Sequence, residues 1–208
     1  MTLPAAVEIA PGVAPGDGRL TLIAGPWLLE SRELALTVAT RLRDLCAELD
    51  VPLVFKGSFD KANRTSASSF RSIGMQPSLE ILAEVRETLG LPVTTDVHDA
   101  GQVEAVAAVV DVLQIPAFLC RQTDLVIAAA KAVQQAGSWL HVKKGQFLAP
   151  GDMRYAVDKV RAGGGERVLL TERGTTFGYH DLVVDYRGLS AMRAFAPVIF
   201  DATHSVQS

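Results

Sequence analysis

The chain has 208 residues, 49% of them hydrophobic and 21% charged, with a formal net charge of −3. That length and apolar content suffice for a substantial buried core, while the acidic balance excludes a protein whose business is to coat nucleic acid, because that role needs a basic surface to displace counterions. No stretch reaches the roughly 18 uninterrupted apolar residues of a bilayer span, and the opening MTLPAAVEIAPGVAPGDG has no basic region leading into an apolar one, so a cytoplasmic protein with no membrane partner is expected.

Residues 1–19 read as a Pro- and Gly-rich lead that forms a small hairpin. RLTLIAGPW then reads as a buried strand, and ESRELALTVATRLRDLCAELD follows with apolar positions at helical spacing. The period switches back in VPLVFKGSF, a strand, and again in PSLEILAEVRETLG, a helix closed by Gly90. LPVTTDVHD is a strand and GQVEAVAAVV a short helix. The alternation continues through DVLQIPAFL, TDLVIAAAKAVQQAG, SWLHVKKGQFL, PGDMRYAVDKVRAGG and ERVLLTERG. A short helix around GLSAMRAF and a last strand, APVIFDATH, complete it.

Strands separated by helices at this spacing imply right-handed βαβ units and a parallel sheet. Neither of the two common nucleotide fingerprints follows any strand. Polar groups instead gather at the C-terminal strand ends: Lys56 and Ser58, Asp96 and His98, Gln114, Lys143 and Lys144, Glu172 and Arg173, Asp201 and His204. A barrel brings such ends to one mouth, whereas an open sheet spreads them along a line. The expected fold is therefore an α/β protein of the (β/α)8 TIM-barrel class, one domain over 1–208, lacking its last βα unit because seven strands do not close an eight-stranded ring.

A lysine in a buried strand costs several kcal/mol unless an anion or carboxylate meets it. Lys144 alone is equally well explained by pairing with Glu172 or Asp201. Lys56, Lys143 and Arg173 at three strand ends are harder to dismiss, since their mutual repulsion at a shared mouth calls for a polyanionic ligand. DKANRTS adds Lys61, Asn63, Arg64 and the Thr65 hydroxyl, groups suited to a phosphate and a sugar hydroxyl, although a solvated loop reads the same way. Gln114 can be satisfied by backbone, and Arg121 by Asp124. His204 is the better metal candidate of the two strand-end histidines, with His98 or Asp201 as its evident partners. His141 and His180 read as packing or surface residues. The two cysteines, Cys46 and Cys120, lack metal-ligand spacing and read as small buried apolar groups. AGGGER reads as a helix stop and turn, because the helix precedes the glycines.

FKGSFDKANRTSASSFR, TTDVHD, QIPAFLCRQTDL, VKKGQFLAP, LTERGTTFGY, LVVDYR and IFDATHSVQ together resemble, in order and spacing, the signature segments of the 3-deoxy-D-manno-octulosonate 8-phosphate synthase family, also called 2-dehydro-3-deoxyphosphooctonate aldolase. The resemblance runs from about Leu20 to Ser208. It implies a (β/α)8 barrel, usually a homotetramer, that condenses phosphoenolpyruvate with D-arabinose 5-phosphate and releases phosphate on the way to the sugar of bacterial lipopolysaccharide. By the same resemblance Lys61, Asp96 and Lys143 lie at the reacting centre. Lys56, Gln114, Ala117 and Arg173 join Lys61 and Lys143 in holding phosphoenolpyruvate, with Arg173 and Lys143 toward its phosphate, and Ser58, Pro116 and Phe118 are further substrate-binding residues. Asn63, Arg64 and Thr65 take the arabinose phosphate, with Arg121 contributed across a subunit interface.

The pattern is broken at IAGPWLLES, where Trp27 stands in place of the cysteine of metal-dependent members or the asparagine of metal-independent ones. An indole is a donor only and ligates nothing. The glutamate and aspartate that complete the family's metal set come from a region after the last strand of this sequence. No cofactor is therefore expected, His204 being the single residue that keeps a divalent metal in view. The readings left open are the related 3-deoxy-arabino-heptulosonate 7-phosphate synthase, against which KANRTS argues, and an inactive phospholigand-binding relative.

Overall fold

The computed structural model describes residues 6–62, 66 and 71–206. Its contacts divide the chain into two compact units, one of Ala5–Asp96 with Ala105–Val112 and the other centred on Val97–Glu104 and Leu113–Ser208.

In the first unit, β1 (Leu22–Ala24), β2 (Leu53–Lys56) and β3 (Val93–Asp96) lie side by side in chain order, with Leu22 opposite Leu53 and Phe55 opposite Val93, all parallel. Helices α1 (Arg32–Glu48) and α2 (Met75–Leu89) connect them. Ser31 starts α1 by accepting the Leu34 N–H at 3.1 Å, satisfying one of the donors a helix start leaves open. Gly90 ends α2 in the left-handed conformation, at φ 66°, as the sequence predicts. Leu82 and Val85 of α2 are fully buried, as are Val54, Phe55 and Val93 of the strands. β2 and β3, apolar or buried along nearly their whole length, are strands of a sheet with both faces covered, whereas β1, expected to be buried, lies at the end of the strand order with Leu22 exposed and Ile23 and Ala24 half-buried. Gly25 permits a close approach at the end of β1, since a Cβ there would lie 1.9 Å from the Lys56 carbonyl oxygen. Before β1, a single antiparallel bridge joins Ala10 and Val13.

The short α3 (Val103–Ala107) follows a 3-10 turn at Ala100–Gln102, which takes up the start of the segment expected to be one helix. In the second unit the order continues as β4 (Val112–Ile115), β5 (Trp139–Lys143), β6 (Val168–Glu172) and a final strand, with α4 (Thr123–Ala136) and α5 (Met153–Ala162) between them. Leu140 pairs with Val168 and Lys143 with Thr171, in parallel register. Gly137 closes α4 at φ 74°, and Gly163 ends α5 before a turn that uses Gly164 at φ 82°. A small antiparallel hairpin, β7 (Thr175–Thr176) with β8 (Leu182–Val183), intervenes before α6 (Arg187–Met192) and β9 (Val198–Phe200), which pairs with β6. This hairpin was not expected from the sequence, because two-residue strands carry no readable period.

Among the described residues, seven parallel strands alternating with helices in chain order give the fold class, that of a (β/α)8 barrel.

Candidate functional site

In the first unit the strand ends deliver Lys56, half-buried, and the buried Ser58. The Ser58 carbonyl accepts from Leu29 N–H at 2.9 Å, and Gly57 N–H reaches the Thr94 carbonyl at 3.2 Å, so the segment after β2 is tied to both sides. Asp60, buried, receives both arms of the Arg71 guanidinium at 2.8 and 2.9 Å, and Lys61 N–H donates to the Arg71 carbonyl at 3.2 Å. These bonds hold Lys61 with 8% of its surface exposed. Its ammonium lies 4.5 Å from the centre of the Trp27 ring, a cation–π arrangement. Trp27, which stands where the family carries cysteine or asparagine, thus has a partner in Lys61 and is 68% exposed. Asp96 is buried at the end of β3. Asn63, Arg64 and Thr65 lie outside the described residues.

In the second unit Gln114 is buried and its carbonyl accepts from Val97 N–H at 3.0 Å. Pro116 opens a 3-10 turn, Ala117–Leu119, which buries Ala117 and leaves Phe118 and Arg121 exposed. The Arg121 carbonyl is held by the Lys159 ammonium at 2.7 Å.

The densest charge lies where β5, β6 and β9 end. Side chains alternate along a strand, so the neighbours Lys143 and Lys144 turn to opposite sides and meet different carboxylates. The Lys143 ammonium donates to Asp201 Oδ2 at 2.6 Å and stands 3.5 Å from His204 Nδ1. The same Asp201 oxygen lies 2.8 Å from His204 Nδ1, and Asp201 Oδ1 accepts the His204 backbone N–H at 3.0 Å. Burial by itself would raise the Asp201 carboxyl, but the His204 bonds and the Lys143 charge outweigh it and hold the group well below the usual carboxylate range. Lys144 pairs with Glu172 at 3.3 Å, the first of the two partners its sequence position allowed. Arg173 is buried at the end of β6; burial lowers its guanidinium, and the charges of Asp201 and Glu172 act in the opposite direction.

Two expectations need revision. The lysine repulsion invoked for Lys143 is met inside the protein by Asp201, so an anionic ligand is not needed to satisfy that charge. Asp201, read from the sequence as a partner for Lys144 or a metal, is the partner of Lys143 and His204. Among the described residues no three His, Cys, Asp or Glu side chains group so as to hold a metal ion. His204 Nδ1 lies against Asp201 Oδ2, and the His98 backbone N–H donates to Gln102 Oε1 at 2.8 Å. Among the described residues, His204 therefore lacks the further ligands a metal site requires. Cys46 and Cys120 are buried, and burial pushes both thiols up, which makes them poor nucleophiles. His141 is buried against the Thr171 hydroxyl.

Parallel βα units that deliver lysine, arginine and carboxylate to their strand ends are the working parts of a barrel enzyme. A family model described as the DAHP synthetase I family matches residues 5–208, and the chain belongs to that family, within its 2-dehydro-3-deoxyphosphooctonate aldolase branch. Proteins of that last name from Koribacter versatilis and Trichlorobacter lovleyi are each 58% identical to it, over 92% and 94% of this chain and 68% and 71% of their own length. One from a Cyanothece species is 52% identical over 97% of this chain and 73% of its own length.

Proposed function

We infer that this chain is a synthase that joins phosphoenolpyruvate to D-arabinose 5-phosphate, forming 3-deoxy-D-manno-octulosonate 8-phosphate and releasing inorganic phosphate, as a cytoplasmic step toward lipopolysaccharide. The observation that carries the reading is the identity of 52–59% to relatives named for that product's aldolase, along nearly the whole of this chain. The related heptulosonate synthase is disfavoured by the same identities.

Phosphoenolpyruvate carries a carboxylate and a phosphate on adjacent carbons. Lys143 and Arg173, buried at the ends of β5 and β6, are proposed to take its phosphate, and Gln114 and Ala117 its remaining edges. Lys56, Ser58, Lys61 and Asp96 are the further contacts that the family pattern assigns, with Pro116 and Phe118 lining. Asn63, Arg64 and Thr65 are proposed for the arabinose phosphate, together with Arg121 from a partner subunit of a homotetramer. In the reaction C3 of the enol forms a bond to the aldehyde carbon, whose oxygen takes a proton. Water adds at C2, and the C2–O bond to phosphate then breaks to leave a ketone. Negative charge moves toward the departing phosphate, and cations already fixed in place stabilise it without reorganising. Holding two substrates in register removes a further barrier of about 7 kcal/mol or more.

The test is phosphate release from phosphoenolpyruvate with D-arabinose 5-phosphate, with erythrose 4-phosphate and with neither, after chelator treatment and again with added divalent metal. Release that requires the five-carbon sugar supports the reading. Release with erythrose 4-phosphate alone assigns the heptulosonate reaction instead, and none from folded protein leaves a phospholigand-binding relative.

A further inference from the structure

Lys144 is fully buried, and Glu172 nearly so. The Glu172 oxygen that Lys144 approaches at 3.3 Å also accepts the backbone N–H groups of Arg173 at 2.9 Å and Gly174 at 2.7 Å. The Lys144 ammonium in turn donates to the Gly174 carbonyl at 3.2 Å, the Thr175 hydroxyl at 3.0 Å and the Leu148 carbonyl at 3.4 Å. All but the last of these bonds end on the residues that flank or form the turn after β6. That turn places Gly174 at φ 93°, a conformation an L side chain rarely adopts, and a Cβ there would press on Leu182 at 3.2 Å.

A buried ion pair is a poor device for stability alone, since removing two charges from water often outweighs their attraction and an apolar pair of like volume serves as well. Burial indeed pulls the Lys144 ammonium below its usual range, with the Glu172 charge opposing. What the pair supplies and an apolar pair cannot is direction. It fixes the backbone N–H of Arg173 and the N–H and carbonyl of the following Gly174, beside the guanidinium that must meet a phosphate within a few tenths of an ångström to bind it in the forked geometry.

We propose that Lys144 and Glu172 are a positioning pair for substrate binding, fixing the turn that aims Arg173 and so setting the affinity for the phosphate of the anionic substrate. The proposal rests on the proposed function in taking Arg173 as the phosphate-binding group. Neither Lys144 nor Glu172 touches the substrate in this account; they act through Arg173.

The experiment is calorimetric titration of the full chain with inorganic phosphate and with phosphoenolpyruvate. Four proteins are compared: the unaltered chain, the charge-balanced double variant Lys144→Met/Glu172→Gln, Arg173→Ala, and the triple combination. The double variant is expected to bind both anions about tenfold more weakly while still unfolding in one cooperative transition, and to cause no further loss once Arg173 is alanine. Undiminished affinity in the folded double variant overturns the proposal, as does a loss that persists in the Arg173→Ala background. Should the double variant not fold, Glu172→Asp, which keeps the charge and shortens its reach by one methylene, is expected to show the same weakening, and its binding as the unaltered chain does would overturn the proposal. Failure of the unaltered chain to bind either anion overturns it too. If both anions bind with this pattern but no sugar product forms, the proposed reaction fails and the positioning role stands.

Discussion

Asp201 is the residue on which the charge balance of the second unit turns, because one carboxylate oxygen serves both the Lys143 ammonium and the His204 ring. Its carboxyl is depressed in the folded protein, so its contribution to stability is fully present above the unfolded value of about 3.9 and is lost as the pH falls below it. Urea unfolding measured from pH 6 downward should show stability of the unaltered chain falling through that acid window. Asp201→Asn should start about 3 kcal/mol lower at neutral pH, having left the Lys143 charge without its carboxylate, and should fall less steeply in acid. Equal slopes for the two proteins would show that Asp201 is not the group responsible. At the same scale, Arg173→Ala is expected to raise KM for phosphoenolpyruvate by at least about tenfold and to move KM for the sugar phosphate little, because a charged hydrogen bond to phosphate contributes on the order of 1.5–3 kcal/mol. Comparable increases in both constants would place Arg173 elsewhere. The sequence showed that Lys143, Arg173 and Asp201 would sit at strand ends. It did not show which would pair, because that depends on register between strands distant in the chain. The Lys61–Trp27 contact was hidden for the same reason: no local period joins the loop after β1 to the loop after β2.

At the scale of elements, the backbone path was nearly all legible, because each device that sets it is local. Uniformly apolar runs marked the parallel strands, of which β2 to β6 are the buried ones, and Gly90 marked a helix end that adopts positive φ. The β7–β8 hairpin and the split of the third helix into a 3-10 turn and five α-helical residues escaped, since both are shorter than the periods by which elements are recognised. Two substitutions test the local account by urea unfolding. Ser31→Ala removes the cap on α1 and should cost about 1 kcal/mol. Gly25→Ala should cost more, about 2–4 kcal/mol, because its methyl group would lie at 1.9 Å from the Lys56 carbonyl and force β1 and β2 apart where both deliver residues to the candidate site. A Gly25→Ala protein as stable as the unaltered chain would contradict the close approach.

For the whole molecule, membership of the DAHP synthetase I family rests on a match over 5–208, while the chain spans about 70% of the length of the relatives from Koribacter and Trichlorobacter. Among the described residues no helix is long and apolar enough to cross a membrane. A homotetramer with Arg121 serving a neighbouring subunit predicts sedimentation at four times the chain mass, and a monomeric species would remove that role from Arg121. The measurement that bears most directly on the synthase reading is mass spectrometry of the products formed from phosphoenolpyruvate labelled with ¹⁸O in the bridge between C2 and phosphorus, supplied with D-arabinose 5-phosphate. The account predicts an eight-carbon keto-sugar phosphate together with free phosphate that carries the label, because the C2–O bond is the one that breaks. Label-free phosphate, or phosphate with no eight-carbon product, would contradict it.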